Sequence, residues 1–297
     1  MNTPELSTIQ TDEDIDQLLP QITNWGRWGK QDQLGTINFI TARQRLQALT
    51  LVKKGRTVSL AREISVAKTE GIRQGTYEMM REEDGSRDYI GMIFHGFALT
   101  HLDALCHAFA GGGEMYNGFS VEEVTAEGAN KLGIERMAAR GISGRGVLLD
   151  IAAVKGAVLE PGTPIFPKDL EKAEEAQHVT VEEGDTLFVR TGAGVRNTRE
   201  QRSGLHPQCL PWLHQRNVAV LGSDGDNDVH PSEFKRWASA MHSVAIPYMG
   251  LPLLDNAELD TLSRVCQEEK RWEFFLTIAP WRFHGATSSP VNPIALF

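Results

Sequence analysis

Three cysteines in 297 residues, at 106, 209 and 266, are too few and too scattered for a disulfide framework. No apolar run approaches the roughly 20 residues needed to span a bilayer, so a membrane partner is not expected. Positive charge is also short: 30 basic against 39 acidic side chains leave a net charge of −9, which argues against nucleic acid or an anionic membrane surface as partner. Low-complexity linkers and internal repeats are lacking. The opening Met-Asn-Thr-Pro-Glu-Leu-Ser has neither the basic start nor the apolar stretch of a secretory signal, and the expectation is a cytoplasmic protein. What remains is ordinary for a globular domain, with 41% hydrophobic and 23% charged residues.

The most informative stretch is His95-Gly-Phe-Ala-Leu-Thr-His101-Leu-Asp103-Ala-Leu-Cys-His107. Read as a strand, it places His95, Phe97, Leu99, His101 and Asp103 on one face. His101 and Asp103 would then stand about 6.6 Å apart along the strand, close enough for nitrogen and oxygen donors to converge on one cation. Neutral imidazole plus carboxylate suits zinc, manganese or iron(II). His107, beyond the strand end, could act on a metal-bound water. A bare His-x-Asp-x3-His spacing also arises in proteins whose histidines only pack or face solvent.

Pattern predicts a mixed α/β chain. Thr41 is placed to cap a helix over 42–53, ahead of Gly55, and a strand-like run follows at 57–64. Residues 69–90 are polar and glycine-bearing, and read as an excursion before the motif strand. Asn130 is a candidate cap for a short helix, and Gly-Val-Leu-Leu-Asp-Ile reads as a buried strand. Pro167 suits the first turn of a helix over 167–177. Strands are expected at 185–191, 217–222 and 272–278, with a helix starting near Pro207 and another over 257–269 capped by Asn256.

The segment Thr100-His101-Leu-Asp103-Ala-Leu-Cys-His107 resembles the signature His-x-Gly-Thr-His-x-Asp-x-Pro-x-His of the cyclase family of metal-dependent hydrolases, which includes bacterial kynurenine formamidase and isatin hydrolase. Asn24–Asn38, Arg145–Asp150, Leu187–Gly192, Val220–Asp224, Ala279-Pro and Gly285–Ala295 resemble further family segments in the same order. The resemblance runs from about residue 24 to the end. It implies the swivelling β/β/α fold: one barrel-like mixed sheet flanked by helices in a single domain over 1–297, with 1–23 as an extension. It also implies a homo-oligomer, a dimer or tetramer. Phe97 stands where the family pattern has its first histidine, and Leu105 where it has proline. His95, one alternation earlier, is then the candidate substitute ligand. His242 and Asp255 hold the places of a further histidine and acidic residue of the family's metal site.

The resulting expectation is a divalent metal, manganese or zinc, held by His101 and Asp103 with help from His242, Asp255 or His95, while His107 carries a proton. The substrate would be a small cyclic or aryl amide, a lactam or a lactone, with Phe97, Asp224 and Trp25 as candidate substrate contacts. Asp224 opens Asp-Gly-Asp-Asn-Asp228, a loop at a strand end, which also looks like the start of a calcium loop without its closing glutamate. Trp25 could equally be core packing. Two rivals stand beside this reading. Cys106 could be a nucleophile, although no helix amino terminus is evident to depress its pKa. The chain could also be a non-catalytic binding or scaffold protein, a reading favoured by Phe97 in a ligand position.

Overall fold

A computed structural model describes residues 9–64 and 75–297. Nine strands form one sheet, numbered in chain order: β1 (Thr57–Ser59), β2 (His101–Asp103), β3 (Ile142–Asp150), β4 (Thr186–Arg190), β5 (Val220–Ser223), β6 (Leu253–Asp255), β7 (Glu273–Ile278), β8 (Ser288–Pro290) and β9 (Ile294–Leu296). Their spatial order is β1-β9-β7-β3-β4-β5-β6-β2-β8, a curled half-barrel. The four central strands β3 to β6 run parallel, and every other pairing is antiparallel. Parallel strands are covered on both faces, which is why Val147-Leu148-Leu149, Leu187-Phe188-Val189 and Val220-Leu221 are unbroken apolar runs with every side chain buried.

Helices α1 (Asp12–Ile22), α2 (Ala42–Leu49), α3 (Ile134–Arg140), α4 (Ile151–Lys155), α5 (Pro167–Gln177), α6 (Cys209–Gln215) and α7 (Asp260–Glu269) flank the sheet. The crossovers between the parallel strands are α4 with α5, then α6, then a π-helix, Met241–Met249. The carboxy ends of β3 to β6 therefore share one edge, the usual place for a ligand in an open α/β sheet. Among the described residues no helix is long and apolar enough to cross a membrane.

Several sequence expectations need correction. The helix begun at Thr41 has its capping box but ends at Leu49, because residues 50–54 turn back to meet the chain end, Lys54 N–H donating to Phe297 O. The strand expected over 57–64 is three residues long. Asn130 does not cap α3; Gly133 precedes it. Nor does Asn256 cap α7, which starts at Asp260, because its side chain and its positive φ of 56° are used elsewhere. Within the excursion expected over 69–90, residues 69–74 lie outside the described residues. The rest is a two-stranded hairpin, Gly75–Arg81 paired with Ser86–Met92.

Candidate metal centre

The extended face expected from His95 to Asp103 does not form. Only His101–Asp103 is strand; residues 96–99 bend, with Gly96 at φ 136°, a conformation that other residues rarely adopt. Buried polar side chains hold the bend. Asn256 Nδ2 donates to Gly96 O (2.6 Å) and Leu99 O (3.2 Å), and Thr100 Oγ1 donates to Asn256 O (2.6 Å). Arg62 adds its backbone N–H to Thr100 Oγ1 and its guanidinium to Phe97 O (2.8 Å) and Asp224 O (2.5 Å). The fold-back matters because the roughly 6.6 Å offset between positions 95 and 97 applies only to a strand. Bent, the chain brings His95 Nε2 to 3.6 Å from Asp103 Oδ1.

Strand register brings in the rest. Antiparallel pairing sets His101 opposite Asp255, and Asp103 opposite Ser288. His101 Nε2 lies 3.7 Å from Asp255 Oδ2 and 3.8 Å from Asp103 Oδ1. His242, in the first turn of the π-helix, places Nε2 3.5 Å from Asp103 Oδ2 and 3.4 Å from Asp255 Oδ2. His107 Nε2 is 3.7 Å from Asp103 Oδ2. Four imidazoles and two carboxylates thus converge, with Asp103 at the centre.

These separations exceed hydrogen-bond length, yet they match a coordination polyhedron. Ligands at about 2.1 Å from a tetrahedral ion are about 3.4 Å apart. Both oxygens of Asp103 are fully buried and lack a hydrogen-bond donor in good geometry among the described residues. A lone carboxylate so placed costs several kcal/mol unless a cation shares its surroundings. Two donor triples satisfy the spacing for one ion, His101–Asp103–Asp255 and His95–Asp103–His107. The residues present therefore fit a divalent ion.

Electrostatics agree. Burial works against ionisation of Asp103, yet the imidazoles of His107, His242 and His101 hold its carboxyl below the usual range. Burial likewise opposes a charged His242, but Asp255, Asp103 and Asp228 together push its pKa well above the ordinary value. Burial raises Asp226 to about 8, helped by Asp228 and Asp255 and opposed by Arg202, whose Nε is 2.7 Å away. Burial takes His95 down to about 4, against the pull of Asp103. Negative charge dominates the centre, and a cation would relieve it.

The histidines differ in how they are held. His101 Nδ1–H donates to Leu99 O (2.8 Å) and His242 Nδ1–H to Asp228 Oδ2 (2.6 Å), so each directs Nε2 at the centre. At His95, Nε2 itself meets the Ser288 hydroxyl at 2.6 Å. The rings of His95 and His107 stack, with centroids 4.7 Å apart and planes 8° from parallel, and both side chains stay about 30% exposed. Phe94 stacks on the His95 ring at 5.0 Å.

Of the residues singled out from sequence, the structure gathers His95, His101, Asp103, His107, His242 and Asp255. The other three are not among the converging groups. Asp224 spends its buried carboxylate on Thr191 N, Thr191 Oγ1 and Gly192 N, which fix the loop after β4. Trp25 stacks on Tyr248 and donates to Pro247 O (2.7 Å). Phe97 carries the Arg202 guanidinium over its ring at 5.3 Å. Sequence reasoning missed Asp228, Asn227, Ser288 and Asn256. The signal for the first two lay in the Asp-Gly-Asp-Asn-Asp loop, whose position at a strand end was recognised although its targets were not. Cys106 is buried and its thiol is pushed up to about 12 by that burial, the opposite of an activated nucleophile.

A family model described as "Putative cyclase" matches residues 54–227. A crystal structure described as a novel cyclase superposes with a TM-score of 0.85 at 29% identity, covering 94% of this chain and 99% of that one. Isatin hydrolase A from Ralstonia solanacearum gives a TM-score of 0.58 at 18% identity, over 81% of this chain and 91% of that one. An isatin hydrolase bound to the product analogue thioisatinate gives 0.57 at 17%, over 87% and 99%. At such identities the last two show a shared fold. No curated protein matches the chain.

Proposed function

The chain belongs to the putative cyclase family, whose model spans more than half of it, and from that premise we propose that it is a metal-dependent hydrolase of small amides, lactams or lactones. The observation that carries this reading is Asp103: a buried carboxylate that, among the described residues, has no hydrogen bond in good geometry and is ringed by four imidazoles at coordination spacing. His101, Asp103, His242 and Asp255 would hold the ion, manganese or zinc. His95 comes second, since the Ser288 hydroxyl already occupies the nitrogen it would offer. Bound there, a divalent ion would supply hydroxide at neutral pH and polarise a carbonyl oxygen.

The chain's own residues do the remaining work. His107 is partly exposed, faces Asp103 Oδ2 at 3.7 Å and, among the described residues, has no ring hydrogen bond of the kind that fixes His101 and His242; it would carry a proton at Nε2 to a leaving nitrogen or oxygen. Its stack on His95 limits ring rotation, so that Nε2 keeps facing the centre. Phe94, against His95 and His101, offers an apolar wall on which an aromatic or cyclic substrate can lie. The scaffold alternative rested on a ligand lost at position 97. His95, folded to within 3.6 Å of Asp103, puts an imidazole beside the centre despite Phe97, which supports the enzyme reading over the scaffold one.

The test is a panel of N-formyl aromatic amines, isatin-like lactams and aliphatic lactones, assayed after chelation and again with added manganese or zinc. Turnover of one class, restored only by metal, is expected. Full turnover by the chelated protein would overturn the reading, and so would the absence of bound metal after metal-replete growth.

A further inference from the structure

We propose that Asp228, a residue outside the converging ligand set, is the positioning residue for His242, and that the 224–228 loop is a preformed cradle for half of the metal centre. The inference rests on the metal-hydrolase reading. Asp228 is 2% exposed and divides its carboxylate between two tasks. Oδ1 accepts the N–H of Met241 at 2.7 Å, which starts the π-helix on which His242 rides. Oδ2 accepts Nδ1–H of the His242 ring at 2.6 Å and, at 3.3 Å, the His242 backbone N–H. The first contact sets where the ring begins, and the second sets its plane and its tautomer. Only the tautomer protonated at Nδ1 leaves a lone pair on Nε2, the atom that lies 3.5 Å and 3.4 Å from Asp103 and Asp255.

The residue before it does the same for the neighbouring ligand. Asn227 Nδ2 donates to Asp255 Oδ1 at 2.7 Å, which turns Asp255 Oδ2 toward His101 and His242. The loop cannot drift under these loads. Ser223 Oγ accepts the N–H groups of Gly225 and Asn227, each at 3.1 Å, and Leu205 N–H donates to Asn227 O at 2.8 Å. Gly204 lies so close that a Cβ there would sit 2.4 Å from Asp228 C and O. Two consecutive side chains on a backbone clamped from both sides each aim one ligand.

The variant Asp228→Asn separates positioning from support. Its amide oxygen can still accept from Met241 N–H, but it then presents N–H to His242 Nδ1 and favours the ring protonated at the wrong nitrogen. Titrating metal-stripped protein with Zn²⁺ against a chromophoric chelator should show affinity weakened about 10–100-fold, with the melting point of the metal-free protein little changed. In a His242→Gln background the same substitution should weaken zinc no further. In the zinc-loaded parent, the His242 Nδ1 proton should appear as a slowly exchanging imidazole N–H signal, a measurement that stands even if Asp228→Asn does not fold. Parent-like affinity in Asp228→Asn, an equal loss in the His242→Gln background, or a missing Nδ1 proton overturns the inference and leaves the hydrolase reading intact. A parent that binds no zinc overturns both.

Discussion

Replacing Asp103 with asparagine tests the centre at its focus. The substitution keeps the shape and removes the one charge shared by all four imidazoles, at 3.5–3.8 Å. Two effects follow. Without metal, the imidazoles that hold the Asp103 carboxyl below its usual range also stabilise its charge, and that charge helps keep His242 protonated, so the amide should leave the metal-free protein less stable, as when one partner of a buried pair is removed. With metal at 100 times its Kd, the parent gains about 2.7 kcal/mol from binding. At roughly 2–4 °C per kcal/mol for a chain of this size, its melting point should rise by about 5–10 °C. The variant should rise by less than about 1 °C, and its turnover should fall by on the order of 10³-fold or more. Scanning calorimetry with chelator and then with zinc reads both effects from one preparation. A variant whose melting point shifts with zinc as the parent's does would refute the assignment of Asp103 as the shared ligand.

Two further outcomes are expected. In the metal-free protein, burial holds His95 at about 4 against an unfolded value near 6.5, so the unfolded chain takes up a proton over that interval and the folded one does not. Stability should fall as pH drops from 6.5 to 4, and His95→Gln should flatten that slope in urea titrations; an unchanged slope would count against a buried neutral His95. His242 acts in the opposite sense, since its raised pKa stabilises the fold below 6.5 and that contribution fades as pH climbs through the folded value. Cys106 is 1% exposed with a thiol raised to about 12, so iodoacetamide at pH 7.5 should leave turnover intact. Stoichiometric inactivation through Cys106 would restore the nucleophile alternative.

Much of the architecture was legible because it follows from local pattern. Unbroken apolar runs marked β3 to β5, Pro167 marked the start of α5, and Thr41 marked that of α2. The converging set His101, Asp103, His107, His242 and Asp255 was also legible, the last two through family resemblance alone. The errors share one cause, side chains recruited by distant partners. Asn256 reads locally as a helix cap, yet its amide reaches back to Gly96 and Leu99. Asp224, expected from its strand-end position to face a ligand, is likewise engaged across the fold by Thr191 and Gly192. The bend at 96–99 was hidden for the same reason: alternating His, Phe, Leu and His favours a strand, and only tertiary contacts from Arg62 and Asn256 fold it over.

The pairing of His101 with Asp255 bears on what an ion would hold closed. These residues come from distant stretches of the chain and meet only where β2 zips against β6, and β6 is in place only after the π-helix crossover has closed. An ion held by His101 and Asp255 would therefore span the β2–β6 seam and resist its reopening, whereas the His95–Asp103–His107 triple draws on thirteen consecutive residues and does not depend on that pairing.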